Sequence, residues 1–144
     1  MIHNFSSPLL LLSLFLLVSC TLDNSEEFSA TGNGVHWNIE MEYYFSENDE
    51  FEEYGIATYK SDEPIHSLSY EFHYPASQSR GSSGERNEIE EGTSEFSLGG
   101  SGGSGGTTAQ SVRSFQEGIN ETSVTLSWET PKGEKEETIS LKVD

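Results

Sequence analysis

Residues 35–46 read Val35-His36-Trp37-Asn38-Ile39-Glu40-Met41-Glu42-Tyr43-Tyr44-Phe45-Ser46. Val35, Trp37, Ile39, Met41, Tyr43 and Phe45 alternate with His36, Asn38, Glu40, Glu42, Tyr44 and Ser46. Successive side chains of an extended chain point to opposite faces. A period of two therefore buries one face and solvates the other, whereas a helix would scatter the same apolar residues around its axis. The stretch predicts a half-buried strand with an acidic outer face.

The same period recurs downstream. Phe51 to Lys60 predicts a second strand with Tyr54, Ile56 and Thr58 on one face, ended by Ser61-Asp62-Glu63-Pro64. Leu68, Tyr70, Phe72 and Tyr74 alternate with Ser67, Ser69, Glu71 and His73, and Pro75 closes that strand. Residues 78–85 read as a loop. A weaker strand is expected over 87–98, with a bulge at Gly92 to bring Ile89 into phase with Phe96 and Leu98. Gly99 to Gly106 reads Gly-Gly-Ser-Gly-Gly-Ser-Gly-Gly, expected to be a flexible connector because it has no side chains to pack. A poorly patterned strand is expected near 111–119.

The clearest hairpin comes last. Val124, Leu126 and Trp128 face one way, Thr130-Pro131-Lys132-Gly133-Glu134 supplies the turn, and Ile139, Leu141 and Val143 complete it. No helical period is evident past residue 20. About seven short strands predict an all-β, immunoglobulin-like antiparallel β-sandwich.

The N-terminus carries a different signal. Residues 9–18 form an apolar run, Leu-Leu-Leu-Leu-Ser-Leu-Phe-Leu-Leu-Val. As a helix it spans about 15 Å, half of the roughly 30 Å hydrocarbon core of a bilayer. This length fits an export signal rather than a membrane span. Leu17-Val18-Ser19-Cys20 follows, and it resembles the lipobox of bacterial lipoproteins. In that family the cysteine thiol takes a diacylglyceryl group and the chain is cut just before it. Cys20 is the only cysteine, so no intramolecular disulfide can form and an exported thiol needs another fate. A two-chain lipid holds a protein stably at a membrane. The expected organisation is a signal peptide over 1–19, a lipidated acidic tether over 20–33, and a sandwich over 34–144. The expected location is the extracytoplasmic face of the cell membrane, or the outer membrane of a Gram-negative host.

The ordered landmarks extend this likeness. The lipobox and acidic tether lead to Trp37, then to Tyr59-Lys60-Ser61-Asp62, Leu68-Ser69-Tyr70-Glu71, a Ser/Gly-rich loop, Leu126-Ser127-Trp128-Glu129 and Thr138-Ile139-Ser140-Leu141. Together they resemble a group of small lipoproteins of Bacillus-like bacteria. The resemblance implies a lipid-anchored β-sandwich. It brings no activity and no catalytic residue.

Composition narrows the partners. Seven Lys and Arg stand against 25 Asp and Glu, a formal charge of −18. Such a surface repels nucleic acid and anionic head groups. Three chemistries remain to be weighed. Gly99-Gly100-Ser101-Gly102-Gly103 and the stretch around Ser104 match a nucleophile-elbow pattern, but that pattern needs a strand before it and a helix after it. The acidic turn with Glu47, Asp49 and Glu50, extended by Glu52 and Glu53, offers oxygen ligands for Ca²⁺ without an EF-hand spacing. His36, His66 and His73 lack zinc-ligand spacing, and His36 and His73 are expected on solvent faces. The leading expectation is a non-enzymatic envelope module that binds another envelope protein or a wall component. No cofactor is expected beyond the covalent diacylglyceryl lipid. A small carboxylate-dependent wall hydrolase and a Ca²⁺-dependent adhesion module are the alternatives.

Overall fold

A computed structural model describes residues 26–46, 50–78, 81–104 and 109–144. Among these residues the chain forms nine strands and one α-helix: β1 Glu26–Asn33, β2 Trp37–Phe45, β3 Glu50–Tyr59, β4 Ser67–His73, β5 Ser82–Asn87, β6 Glu95–Ser104, α1 Ala109–Ile119, β7 Ser123–Thr130, β8 Gly133–Ser140 and β9 Lys142–Val143. The strands build two antiparallel sheets, ordered β6-β3-β2-β1-β9 and β5-β4-β7-β8. The fold is an all-β sandwich.

The alternation at 37–45 does what its period demands. Trp37, Ile39, Met41, Tyr43 and Phe45 are buried, and the residues between them are not. Val35 departs from the expected phase. It lies in the bend before β2 and is 79% exposed. Leu68 and Phe72 of β4 and Val124, Leu126 and Trp128 of β7 fill the facing layer. The β7–β8 turn holds Gly133 at φ +116°, a conformation that only glycine adopts without strain. The Thr130 hydroxyl accepts from the Lys132 N–H at 3.2 Å and donates to the Gly133 carbonyl at 3.1 Å.

Several expectations are corrected. Among the described residues the sheet is already present at Glu26, ahead of Val35, because β1 pairs with β2 along its whole length. Ala30 and Gly32 are its buried positions, too small to register as a hydrophobic stripe. The segment expected to be a loop over 78–85 runs into β5, Ser82–Asn87, whose Ser-Ser-Gly-Glu-Arg-Asn sequence pairs with β4 as an edge strand. The strand expected over 87–98 is broken at 88–94. Gly92 sits in a turn there at φ +86°, and the irregularity lies instead between Glu53 and Gly55, where β3 pairs with β6.

The glycine-rich segment is no connector as far as Ser104. Glycine lowers strand propensity through its backbone entropy, but its N–H and C=O still pair. Residues 101–104 pair with 50–53 of β3. The expected strand near 111–119 is α1. Val112 and Ile119 are buried and Phe115 half-buried, a helical i, i+3, i+7 face. Arg113 and Glu117 pair across one turn at 3.3 Å. Finally, Val143 leaves the hairpin. The chain crosses at Leu141, and β9 joins the other sheet beside β1.

The core has two ends. At the loop end, near the turns at 33–37, 60–66 and 130–133, Trp37 meets Trp128 at 5.5 Å and Tyr59 at 4.7 Å between ring centroids, with Phe96 alongside at 5.6 Å. At the helix end, where β1 begins, Phe28 stacks on Tyr43 at 4.8 Å. Phe115 of α1 lies edge-on to Phe45 at 5.2 Å and to Tyr43 at 5.5 Å.

Candidate functional site

The outward residues of each sheet make the surfaces available to a ligand. On the four-stranded sheet, antiparallel register places Asn87, Ser67, Glu129 and Glu134 in one row and Glu85, Ser69, Ser127 and Glu136 in the next. All of these except Asn87 line a shallow groove of about 400 Å³. The Ser127 hydroxyl donates to the Glu136 carboxylate at 3.2 Å. Glu129 and Glu134 stand directly opposite each other, a like-charge pair that disfavours the ladder locally. The groove is lined mainly by serines and glutamates, with Lys135, Leu68 and Trp128 also contributing.

The five-stranded sheet shows a different outer face. Tyr44, Tyr54 and Ile56 lie on it, Tyr54 and Ile56 at 50% and 46% exposure. Tyr54, Ile56 and Thr58 do share a face as expected, and it is the solvent face. Their alternate positions, Gly55, Ala57 and Tyr59, meet the core. Gly55 is required there, since a Cβ would collide with Met41 Sδ and come within 2.9 Å of the Leu98 carbonyl.

The loop end is held by charge. Glu137 faces inward from β8 and its carboxylate accepts the backbone N–H groups of Val35 and His36, the latter at 3.0 Å. Glu63, in the loop between β3 and β4, accepts from Lys135 at 2.7 Å and lies 3.5 Å from Lys132. The Lys135 hydrogen bond holds the Glu63 carboxyl below the ordinary carboxylate range. Burial opposes that shift, and Lys132 adds to it. Lys135 is in turn raised, chiefly by the same hydrogen bond. A carboxylate fixed in its ionised form is a poor general acid. This pair is a clamp between a loop and a strand, and sequence reasoning missed it because Glu134-Lys135-Glu136-Glu137 looks uniformly solvated.

Leu17, Val18, Ser19 and Cys20 lie outside the described residues, as do Glu47 and Asp49. Glu50 opens β3. Glu52 and Glu53 turn to opposite faces, Glu53 being buried at 3% exposure, so the two cannot converge on one cation. Among the described residues no group of three His, Cys, Asp or Glu is placed to hold a metal ion. His36 is not on an open solvent face. It is half-buried, 5.4 Å from the Trp128 ring and 3.9 Å from Glu137. His73 does face solvent and pairs with the Thr125 hydroxyl at 2.9 Å.

Ser101 and Ser104 require a corrected reason. A helix does follow the glycine-rich segment, with α1 starting at Ala109. Ser101 pairs with Glu53 and Ser104 with Glu50 in an antiparallel ladder. A nucleophile elbow instead holds its serine on a sharp turn out of a strand.

The chain matches no family model, no curated protein and no solved structure.

Proposed function

We propose that this chain is a lipid-anchored, extracytoplasmic binding module without catalytic activity, with Cys20 as its lipid-bearing residue. The observation that carries the reading is the placement of Leu17-Val18-Ser19-Cys20. It lies immediately after an apolar run too short to span a bilayer and just before the first strand at Glu26. The diacylglyceryl group supplies the two acyl chains that stable anchoring needs. Within the sandwich class the chain is immunoglobulin-like in architecture alone, two antiparallel sheets packed face to face.

The start of β1 at Glu26 sharpens this reading. Thr21 to Ser25 lie between Cys20 and the first described strand, a length of at most about 20 Å. The helix end would then face the membrane and the loop end would point away. The charge of −18 keeps the domain off anionic lipid, so the lipid alone holds it. In a host with two membranes, the outer membrane is the expected site.

The experiment is Cys20→Ser in a lipoprotein-processing bacterium, with radiolabelled palmitate and membrane fractionation. The wild-type chain should carry label and sediment with membranes. The variant should lose both and keep the folded circular dichroism spectrum, because the sheet starts downstream of the substitution. A variant that stays labelled and membrane-bound rules the anchor out.

A further inference from the structure

Over β1, β2 and β3 the outer face of the five-stranded sheet combines tyrosine rings with one sign of charge, and Lys142 lies on the edge strand β9. Tyr54 and Ile56 are neighbours on the outward side of β3, and Tyr44 of β2 lies beside Tyr54 with ring centroids 6.0 Å apart at 68°. Register surrounds them with carboxylates from three adjacent strands. Glu40 is opposite Ile56, Glu42 opposite Tyr54, and Glu27 and Glu52 flank Tyr44. The strands β1, β2 and β3 contain no Lys or Arg. The Tyr44 hydroxyl donates to Glu42 at 2.8 Å and the Tyr54 hydroxyl to Glu52 at 2.9 Å, which fixes both carboxylates beside the rings. The same carboxylates raise both phenols above their ordinary value, the hydrogen bond first and Coulomb repulsion adding to it.

We propose that this face docks an extended, arginine- or lysine-bearing segment of a basic partner protein. Two rings and an isoleucine offer the flat contact that the stems of such side chains cover. The ring faces attract the cation, and the carboxylates receive its N–H donors. Arginine fits best, since its planar head both stacks on tyrosine and binds carboxylates bidentately. Charge complementarity excludes the other occupants. A second copy of the chain brings another −18 against the same face. Anionic lipid and nucleic acid are repelled likewise. A neutral glycan could stack on the rings but would leave four carboxylates crowded and uncompensated. This names the partner class of the binding role proposed above and is independent of the lipid, so its failure leaves the Cys20 test untouched.

A decapeptide of alternating arginine and glycine is the probe. It is titrated into the full chain in neutral detergent, with amide chemical shifts as the map. Shifts should centre on β1, β2 and β3, and affinity should fall steeply between 50 and 300 mM salt, an order-of-magnitude contrast expected for a charge-driven contact. Tyr44→Ala with Tyr54→Ala leaves the charge unchanged and should weaken binding about tenfold, from two cation–π contacts. Glu40→Gln with Glu42→Gln should weaken it further, while Glu134→Gln with Glu136→Gln on the opposite sheet should have less effect than either. All of these positions are outward, so the variants keep the fold. Shifts spread equally over both sheets, or an unchanged affinity in the tyrosine variant, would overturn the proposal. So would a neutral chitin tetrasaccharide that binds this face when the arginine peptide does not.

Discussion

The loop end and the helix end of the core are both aromatic, yet they are assembled by different means. At the loop end, Trp37, Tyr59, Phe96 and Trp128 come from four strands in both sheets and meet edge-on or tilted. At the helix end, Phe28, Tyr43, Phe45 and Phe51 all come from the five-stranded sheet, and Phe115 of α1 closes over them. One end is a sandwich in the strict sense. The other is a sheet capped by a helix. Strand pairing fixes the first, so its rings move only if a sheet moves. The second depends on a three-turn helix that packs through few apolar residues, and a helix that short has little stability of its own.

Substitutions at the two ends should therefore differ in size and in reach. Trp128→Ala should cost about 3–5 kcal/mol, because it empties the middle of the loop end and leaves Trp37 and Tyr59 without their facing ring. Urea denaturation checks this, and a loss below about 1 kcal/mol would mean the rings are not packed as described. Phe115→Ala should cost about 2–3 kcal/mol, less because the ring is only half-buried. Both tryptophans sit at the loop end, so their fluorescence reports that end alone. It should hardly change in Phe115→Ala, while α1 amides lose hydrogen-exchange protection. A large tryptophan shift in that variant would erase the distinction between the ends.

Two smaller effects test the charged hardware of the loop end. Glu137→Gln keeps one acceptor for two backbone donors and should cost about 1 kcal/mol, read as a lower melting temperature. The Glu63–Lys135 clamp gives a pH signature. The folded Glu63 carboxyl sits below its usual 4.5. Its contribution is present above that value and is lost as the pH falls through the folded value. Lys135 sits above its usual 10.5, so its contribution is present below that and is lost as the pH rises through the raised value. Lys135→Met should flatten the acid-side loss of melting temperature without affecting the helix end.

How much of this was legible follows from the same contrast. The loop end could be read because Trp37, Ile39 and Met41 alternate cleanly and Val124, Leu126 and Trp128 do likewise, with a proline–glycine turn between partners. The helix end was obscure for particular reasons. Val112, Phe115 and Ile119 do carry helical spacing, but the short run is interrupted by serines and a glycine and follows a glycine-rich segment. β1 hides its inward face behind Ala30 and Gly32. β6 shows its pattern only at Phe96 and Leu98, and its second half hides behind glycines. The proposed docking face was half legible. The sharing of one side by Tyr54, Ile56 and Thr58 could be read, but which side faces solvent depends on Gly55 fitting against Met41 and Leu98 and on Ala57 lying between Ile39 and Phe96. Period alone does not order two faces when the small residues are the buried ones.

The crossing at Leu141 has a mechanical consequence. β1 lies between β2 and β9, with Ala30 and Thr31 paired on both sides and Asp144 accepting from the Ser29 and Thr31 hydroxyls at 2.7 and 2.9 Å. In a chain tethered upstream of Glu26 and loaded from the loop end, tension runs along the axis of β1. Its ladder with β2 then resists in shear, with its paired residues stretched together rather than peeled one at a time, and β9 grips the same strand from its other edge.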